Sequence, residues 1–286
     1  MKLDVDNLSS GYGTNEVLHG ITFSINSPGI TVVLGKNGAG KTTLFRALVG
    51  LLSPMAGTVS YNDEQLVLGK TSRKIGYLTH TLGIPSGFTV SQLIDFYSKL
   101  EDADPKLREN AVHDLELNEL MNKKVNDLSQ GQKKRASLLR CFLNKKEFYI
   151  FDEPTANLDP VVASEIRADI LKLSKDSIIL YSSHNLYEAK EIGNQVISID
   201  KGKIGYMGAI DQISRGTYKV GIRARGMEKI GENIPVENKY YIFEVKDPSE
   251  VGKIISDLVS KGATIYEVKD MENPLEKLYG EGEADE

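Results

Sequence analysis

The chain has 286 residues, 40% of them hydrophobic and 26% charged, a composition typical of a folded globular protein and not of a disordered or fibrous one. Its net charge of −5 offers no basic surface for a nucleic acid, so no nucleic-acid partner is expected. The lone cysteine, Cys141, excludes an intramolecular disulfide, and neither a membrane-length apolar run nor a signal-peptide pattern is present, so we expect a cytoplasmic protein.

The part of the chain up to Leu128 predicts an α/β arrangement with a helical insert. Two strand patterns, LDVDNL and ITFSI, come first, and the apolar run GITVVLG predicts a buried strand that enters a glycine-rich turn. TTLFRALVGLL has helical spacing and is predicted to end at Ser53-Pro54. From about Thr89 to Leu128 helical patterns dominate, which predicts a helical insert.

After residue 128, helices alternate with strands. A basic helix precedes the apolar strand FYIFDEP, followed by a helix over roughly 160–174, the strand SIILYSSH, a short helix and the strand QVISID. This alternation predicts a mainly parallel sheet covered on both faces, with a β-turn at Lys201-Gly202-Lys203 closing it. Beyond residue 215, three strand patterns and one helix capped by Ser249 predict a small α+β domain with an acidic tail.

The stretch GKNGAGKT matches the phosphate-loop pattern between a predicted strand and a predicted helix. Glycines let the backbone bend so that its N–H groups face a triphosphate, and the helix N-terminus adds partial positive charge. Lys41 is predicted to bind the β- and γ-phosphates and Thr42 to coordinate Mg²⁺, while Thr43 either caps the helix or touches the α-phosphate. The predicted nucleotide contacts of this loop are Gly35, Asn37, Gly38, Ala39, Gly40, Lys41, Thr42 and Thr43.

Two carboxylates, Asp152 and Glu153, end the apolar strand FYIFDE, where ligands of an α/β sheet usually bind. We expect Asp152 to hold Mg²⁺, directly or through water, and Glu153 to polarise the water that attacks the γ-phosphate. The alternative is an ordinary solvated strand end.

Four stretches in this order, GKNGAGKTT, LSQGQKKR, YIFDEPTANLDP and YSSH, resemble the ATP-binding subunits of ABC transporters over about residues 1–210. The resemblance implies an ABC-type P-loop NTPase domain over 1–212, with an antiparallel β part at its N-terminus and a helical insert at about 85–140. A small α+β accessory domain over 213–286 follows. It also implies that Tyr12 stacks on adenine and that His184 is the family's switch histidine.

In that family two nucleotide domains enclose two ATP molecules head to tail. By resemblance, Ser129 and Gly131, together with Gln132, contact the γ-phosphate held by the partner chain, and Asp159 links the facing sites. A helix N-terminus does offer unpaired donors to such a phosphate. The alternatives stay open: Ser129 as a simple helix cap, His184 as a core or strand-end histidine, and Tyr12 as a turn or core aromatic.

Two positions depart from the family pattern. The family has two adjacent glycines after the signature serine, whereas Gln130 occupies the first here, and its side chain is expected to point away from the interface with little harm. The second departure is the more serious. The family has a metal- and water-contacting glutamine at the end of IGYLTH, where this chain has His80. We hypothesise that His80 replaces the glutamine and that a protonated ring, formed near pH 6.5 when unperturbed, weakens activity in mild acid. A solvent-facing His80 without a role is the alternative.

The resemblance implies an ATP hydrolase that drives a separate integral membrane subunit, with a second nucleotide domain as partner. The expected location is the inner face of the cell membrane. The small appendage ending in NPLEKLYGE is similar to that of exporter-type subunits. Aromatics near 81–100, namely Phe88, Phe96 and Tyr97, either grip the membrane partner or form helix core. Alternative functions are a soluble ABC ATPase of an assembly machine, such as one for iron–sulfur clusters, and an ATP-binding regulator.

Overall fold

The computed structural model describes residues 1–67, 75–79, 84–85, 87–213, 218–227, 234–245 and 249–271, which form two compact units divided between Met207 and Gly208. His80 and the acidic tail lie outside the described residues. The strands of the first unit are β1 Leu3–Tyr12, β2 Asn15–Ile25, β3 Gly29–Leu34, β4 Pro54–Tyr61, β5 Glu64–Gln65, β6 Ile75–Leu78, β7 Phe148–Phe151, β8 Ile178–Ser183, β9 Gln195–Asp200 and β10 Lys203–Ala209, of which β10 ends two residues beyond the division. Its helices are α1 Lys41–Leu48, α2 Val90–Glu101, α3 Pro105–Asp114, α4 Gln130–Phe142, α5 Pro160–Leu173 and α6 Leu186–Ile192.

Two sheets make up the first unit, as the predicted fold class requires. An antiparallel sheet has the strand order β2-β1-β4-β5, and a six-stranded sheet has the order β10-β9-β3-β8-β7-β6. Strands β9, β3, β8, β7 and β6 pair in parallel. The central strands β7 and β8 are buried at every residue, because helices and the other sheet cover both faces. Helix α1 shares one buried cluster with residues of both sheets.

The local predictions had mixed outcomes: one helix end was wrong, one strand was missed and one turn is confirmed. The helix after the phosphate loop ends at Leu48, five residues before Ser53-Pro54, because Gly50 adopts a left-handed φ of 72° that ends an α-helix. Strand β4 was not predicted: it begins at a proline and contains Gly57 at φ 79°, so it lacks the alternation of a regular strand. The predicted turn at 201–203 is confirmed, since Lys201 and Gly202 both have positive φ between β9 and β10.

The second unit is a small α+β arrangement. It contains α7 Ile210–Ile213, β11 Tyr218–Arg225, β12 Val236–Glu237, β13 Tyr240–Val245, α8 Ser249–Ser260 and β14 Thr264–Asp270, with strand order β12-β13-β11-β14. Residues of α8 and of the sheet form its own apolar core. Helix α8 begins at Ser249 itself, so this residue is the first helical position and not the residue before it.

The helical segment is fastened to the sheet by a buried ion pair. The Glu101 carboxylate ends α2, and it lies 2.6 Å from Lys146 Nζ before β7 and 2.7 Å from Arg140 Nε on α4. The side chains of Glu101 and Lys146 are only 7% and 5% exposed. Burial alone would raise the pKa of Glu101, but hydrogen bonds from Lys146 and Arg140 outweigh it and leave the pKa below its usual value of 4.5.

We expect Glu101→Gln to destabilise the fold in a pH-dependent way. A carboxylate whose pKa is lowered by folding stabilises the native state above its ordinary pKa, and this contribution is lost as the pH falls through the folded-state value. At pH 7 the variant should lose about 1.5–3 kcal/mol of unfolding free energy in urea titrations. Wild type and variant should converge in acid, whereas the exposed control Glu109→Gln should match wild type throughout. A pH-independent difference would contradict this role.

Candidate functional site

Three neighbouring parallel strands, β7, β8 and β3, deliver the predicted site residues to one edge of the sheet. The phosphate loop follows β3, Asp152 and Glu153 follow β7, and His184 follows β8. Since parallel strands end at the same edge, segments distant in sequence meet there. Together they line a cavity of about 580 Å³, whose walls include most of the loop residues from Lys36 to Thr43, Glu153, Asn157 and His184.

The phosphate loop has the backbone that its glycines predict. Gly38 has φ 83° and Gly40 has φ 111°, conformations that other residues adopt only with strain. Gly40 is the N-cap of α1 and no side chain caps this helix, so Thr43 is not the cap that was considered for it. The first N–H groups of α1 therefore lack a side-chain partner at the end of the helix that faces the cavity, an arrangement suited to anion binding.

Lys41 is one of the residues that line the cavity. Its Nζ donates to the carbonyl oxygen of Gly35 at 2.7 Å and lies 3.3 Å from Glu153 Oε1. The side chain is 6% exposed, so its charge is held at low dielectric between the loop and the carboxylate. A triphosphate in this cavity would meet the lysine charge directly.

The Asp152 carboxylate fits a divalent cation. It is almost completely buried, and its Oδ1 accepts a hydrogen bond from the Ser182 hydroxyl at 2.7 Å. Its Oδ2 is buried without a hydrogen-bond partner among the described residues. An unsatisfied buried carboxylate oxygen is costly, and Mg²⁺ prefers oxygen ligands of this kind. Thr42, in the first turn of α1, adds a hydroxyl to the cavity wall.

Glu153 is held in a strained conformation at the end of β7. Its φ is 46°, in the left-handed region that non-glycine residues seldom adopt. The backbone N–H donates to Ser182 Oγ at 2.9 Å, and the carbonyl accepts from Lys134 Nζ at 3.2 Å. Its Oε1 lies 3.7 Å from His184 Nδ1. The predicted base and the predicted switch histidine are thus neighbours. The Glu153 side chain is 15% exposed, so it is not at a solvated strand end, whereas His184 is 59% exposed directly after β8, so it is a strand-end histidine and not a core one.

Two residues at this edge of the sheet were not predicted from the sequence. Ser182 joins Asp152 to the backbone of Glu153, and its only signal was the polar pair SS at the end of a buried strand. Lys134 is a buried lysine on α4, and burial lowers its pKa to about 8 although the Asp152 and Glu153 carboxylates act in the opposite direction. Nothing in the helical pattern of α4 distinguishes this lysine from its neighbours Lys133 and Arg135.

The LSQGQ segment lies elsewhere. Ser129 is the N-cap of α4: its Oγ accepts from the N–H of Gln132 at 3.2 Å, and the Gln132 side chain accepts from the N–H of Ser129 at 3.1 Å. This capping box leaves the serine hydroxyl proton available to a ligand. Ser129, Gly131 and Gln132 line a second cavity of about 560 Å³, and none of its described lining residues belongs to the phosphate-loop cavity.

Asp159 and Tyr12 are both on the surface. The Asp159 carboxylate caps α5 by accepting from the N–H of Val162 at 3.0 Å. Tyr12 ends β1 with 45% of its surface exposed, and its hydroxyl accepts from Arg46 Nη1 at 2.9 Å. An exposed ring is available for stacking, so Tyr12 is not a core aromatic.

Comparison with known proteins agrees with these features. A protein-family model described as ABC transporter matches residues 18–156. The chain is 30% identical over 225 residues to the uncharacterized ABC transporter ATP-binding protein YhaQ of Bacillus subtilis, covering 76% of this chain and 74% of that protein. It is 29% identical over 302 residues to the bacitracin transport ATP-binding protein BcrA of Enterococcus faecalis, covering 98% and 97%. A solved ATP-binding subunit of an ABC transporter superimposes with a TM-score of 0.69 at 25% identity, covering 75% and 92%.

We expect Lys41→Ala to abolish nucleotide binding. The variant removes the buried charge that a triphosphate would contact. Saturating ATP should therefore raise the melting temperature of the wild type but not that of the variant. The matched control is Lys175→Ala, which removes an exposed lysine after α5. It should keep the ATP-dependent shift. A Lys41→Ala protein that still shows a wild-type shift would remove this lysine from the site.

Proposed function

The chain belongs to the ABC transporter family of ATP-binding proteins, and on this premise we propose that it is the ATP-hydrolysing motor of a transporter whose membrane path lies in another polypeptide. The observation that supports this most is the convergence of Lys41, Glu153 and His184 at one cavity. Family members are ATP hydrolases, so nucleotide binding and hydrolysis follow from membership. The roles of individual residues, the dimer and the transport direction are our proposals.

In the proposed reaction, Glu153 accepts a proton from the water that attacks the γ-phosphate. Binding of the triphosphate to Lys41 would break the ion pair between Lys41 and Glu153. The Glu153 carboxylate would then face the attacking water. His184, next to Glu153, would hydrogen-bond the γ-phosphate. Asp152 and Thr42 would hold Mg²⁺, which neutralises negative charge on the phosphates. His80 remains a proposed substitute for the family's glutamine.

We propose that a second nucleotide domain completes each site. Ser129 and Gly131 line a cavity separate from that of Lys41, so within the described part of one chain they do not join the same pocket. The hydroxyl proton of Ser129 and the first N–H groups of α4 would contact a γ-phosphate held by the partner chain. ATP would then be part of the dimer interface, and its hydrolysis would weaken the dimer.

A membrane subunit is the proposed second partner. Among the described helices, none has the length and hydropathy needed to cross a bilayer. Phe96 on α2 is 44% exposed and contacts Phe88 and Tyr97 with ring centroids 5.8 and 5.4 Å apart, so it is not helix core. This exposed aromatic group is our proposed docking site. Alignment with a bacitracin transport ATP-binding protein over 98% of the chain supports a transport role. Export, driven from the inner face of the membrane, is our proposal.

Glu153→Gln should separate ATP binding from ATP hydrolysis. The amide cannot accept the proton, so turnover should fall about 10²- to 10⁴-fold, the usual contribution of positioned proton transfer. The ATP-dependent thermal shift should persist, and the particle mass in Mg-ATP, measured by light scattering, should correspond to two chains. Wild-type turnover would remove Glu153 from the proposed role, and a monomer at saturating Mg-ATP would contradict the shared site.

Affinity purification from native membranes tests the transport role. A tagged Glu153→Gln chain with ATP should retain a protein that spans the membrane several times. The substitution Phe96→Ser should reduce this retention, because it removes the exposed aromatic group, while ATPase activity of the isolated chain stays unchanged. Retention of water-soluble proteins alone would instead favour an assembly machine.

A further inference from the structure

A single carboxylate, that of Glu188 on α6, accepts hydrogen bonds from three hydroxyl groups. Tyr181 donates to it at 2.6 Å and Ser183 at 2.5 Å, and the Thr155 hydroxyl makes a further short hydrogen bond. The guanidinium of Arg167 lies 3.7 Å away, and the Glu188 side chain is only 12% exposed. An ionised carboxylate is an acceptor only, so it matches a set of converging donors.

These hydroxyls belong to the two segments that carry the proposed catalytic pair. Thr155 lies two residues after Glu153, beyond β7, and Ser183 immediately precedes His184 at the end of β8. Glu188 therefore joins both segments through its two oxygens, Oε1 to the Thr155 side and Oε2 to the Ser183 side. Glu153 Oε1 and His184 Nδ1 are 3.7 Å apart, so a small displacement of either segment would change their geometry.

We propose that Glu188 is a positioning residue for ATP hydrolysis, which sets the spacing between Glu153 and His184 by holding Thr155 and Ser183 on one carboxylate. This inference rests on the proposed function of those two residues. It assigns to Glu188 no contact with the nucleotide.

Helix α6 does not need this carboxylate for its own stability. Asn185 caps the helix by accepting from the N–H groups of Tyr187 and Glu188 at 2.8 and 3.3 Å. Leu186, Ala189 and Ile192 are buried and anchor the helix to the sheet. The Glu188 carboxylate instead contacts the segment after β7 and the end of β8, at the edge of the sheet where the phosphate loop also lies. These contacts indicate a role in arranging the two segments.

The same helix offers a matched control. Glu191 lies one turn later, and its carboxylate is 2.9 Å from Nη2 of Arg167, the arginine that also approaches Glu188. Within the described residues, the Tyr181 and Ser183 hydroxyls donate hydrogen bonds to Glu188 and not to Glu191. Glu191→Gln thus removes the same charge from the same helix without disturbing the loops.

The experiment compares steady-state ATPase kinetics of Glu188→Gln and Glu191→Gln. Glutamine places an NH₂ group where one oxygen accepted hydroxyl protons, so the loops should shift. We expect kcat to fall about 10- to 100-fold, the effect of small misplacement of reacting groups. KM for ATP and the ATP-dependent thermal shift should stay at wild-type values, and Glu191→Gln should match wild type.

A second pair of variants tests the same idea through a hydroxyl. Thr155→Val should lower kcat as Glu188→Gln does, and Thr155→Ser, which keeps the hydroxyl, should restore it. This pair decides the matter if Glu188→Gln does not fold. Equal kinetics of Glu188→Gln and Glu191→Gln, joint loss of kcat and ATP binding, or failure of serine to rescue would each overturn the proposal.

Glu153→Gln, assayed in parallel, separates this inference from the function on which it rests. If Glu153→Gln retains turnover, the proposed function itself is wrong. If Glu153→Gln loses turnover while Glu188→Gln does not, only the positioning role of Glu188 is wrong.

Discussion

Parallel pairing of β7, β8 and β3 is the constraint on which the nucleotide site depends. Each strand ends at the same edge of the sheet, and each passes directly into a functional segment. Strand β8 lies between the other two and pairs with both. Its terminal residues therefore touch both neighbours, and a displacement of this strand would disturb the phosphate loop and the carboxylates together.

The end of β8 also binds the carboxylate segments through side chains. Ser182 connects to Asp152 and to the backbone of Glu153, and Ser183 connects through Glu188 to Thr155. These bonds hold a strained backbone and buried charges that would be unfavourable in isolation. Such costs are typical of a site whose groups must be in place before substrate arrives. The fold thus loses stability at the positions whose geometry matters for the chemistry.

The separation of the two cavities is compatible with the proposed contact between the LSQGQ segment and a nucleotide held by a partner chain. The capping box orders the N-terminus of α4 within the chain, and the hydroxyl proton of Ser129 remains available to an external acceptor. The helix cap and the proposed contact with a partner's nucleotide are thus compatible functions of one serine. The sequence alone presented them as alternatives, and the geometry removes the conflict.

The sequence by itself determined the local elements whose signals are short-range: the phosphate loop, the apolar strands that precede Gly35 and Asp152, and the turn at Gly202. Glycine conformations and runs of apolar residues depend on neighbours in the chain, so they could be predicted. Only the tertiary structure decided that Lys134, Ser182 and Glu188 contact the segments that carry Glu153 and His184, and that LSQGQ faces a separate cavity. Their side chains reach partners 5 to 33 residues away through strand order and burial, which no local pattern encodes.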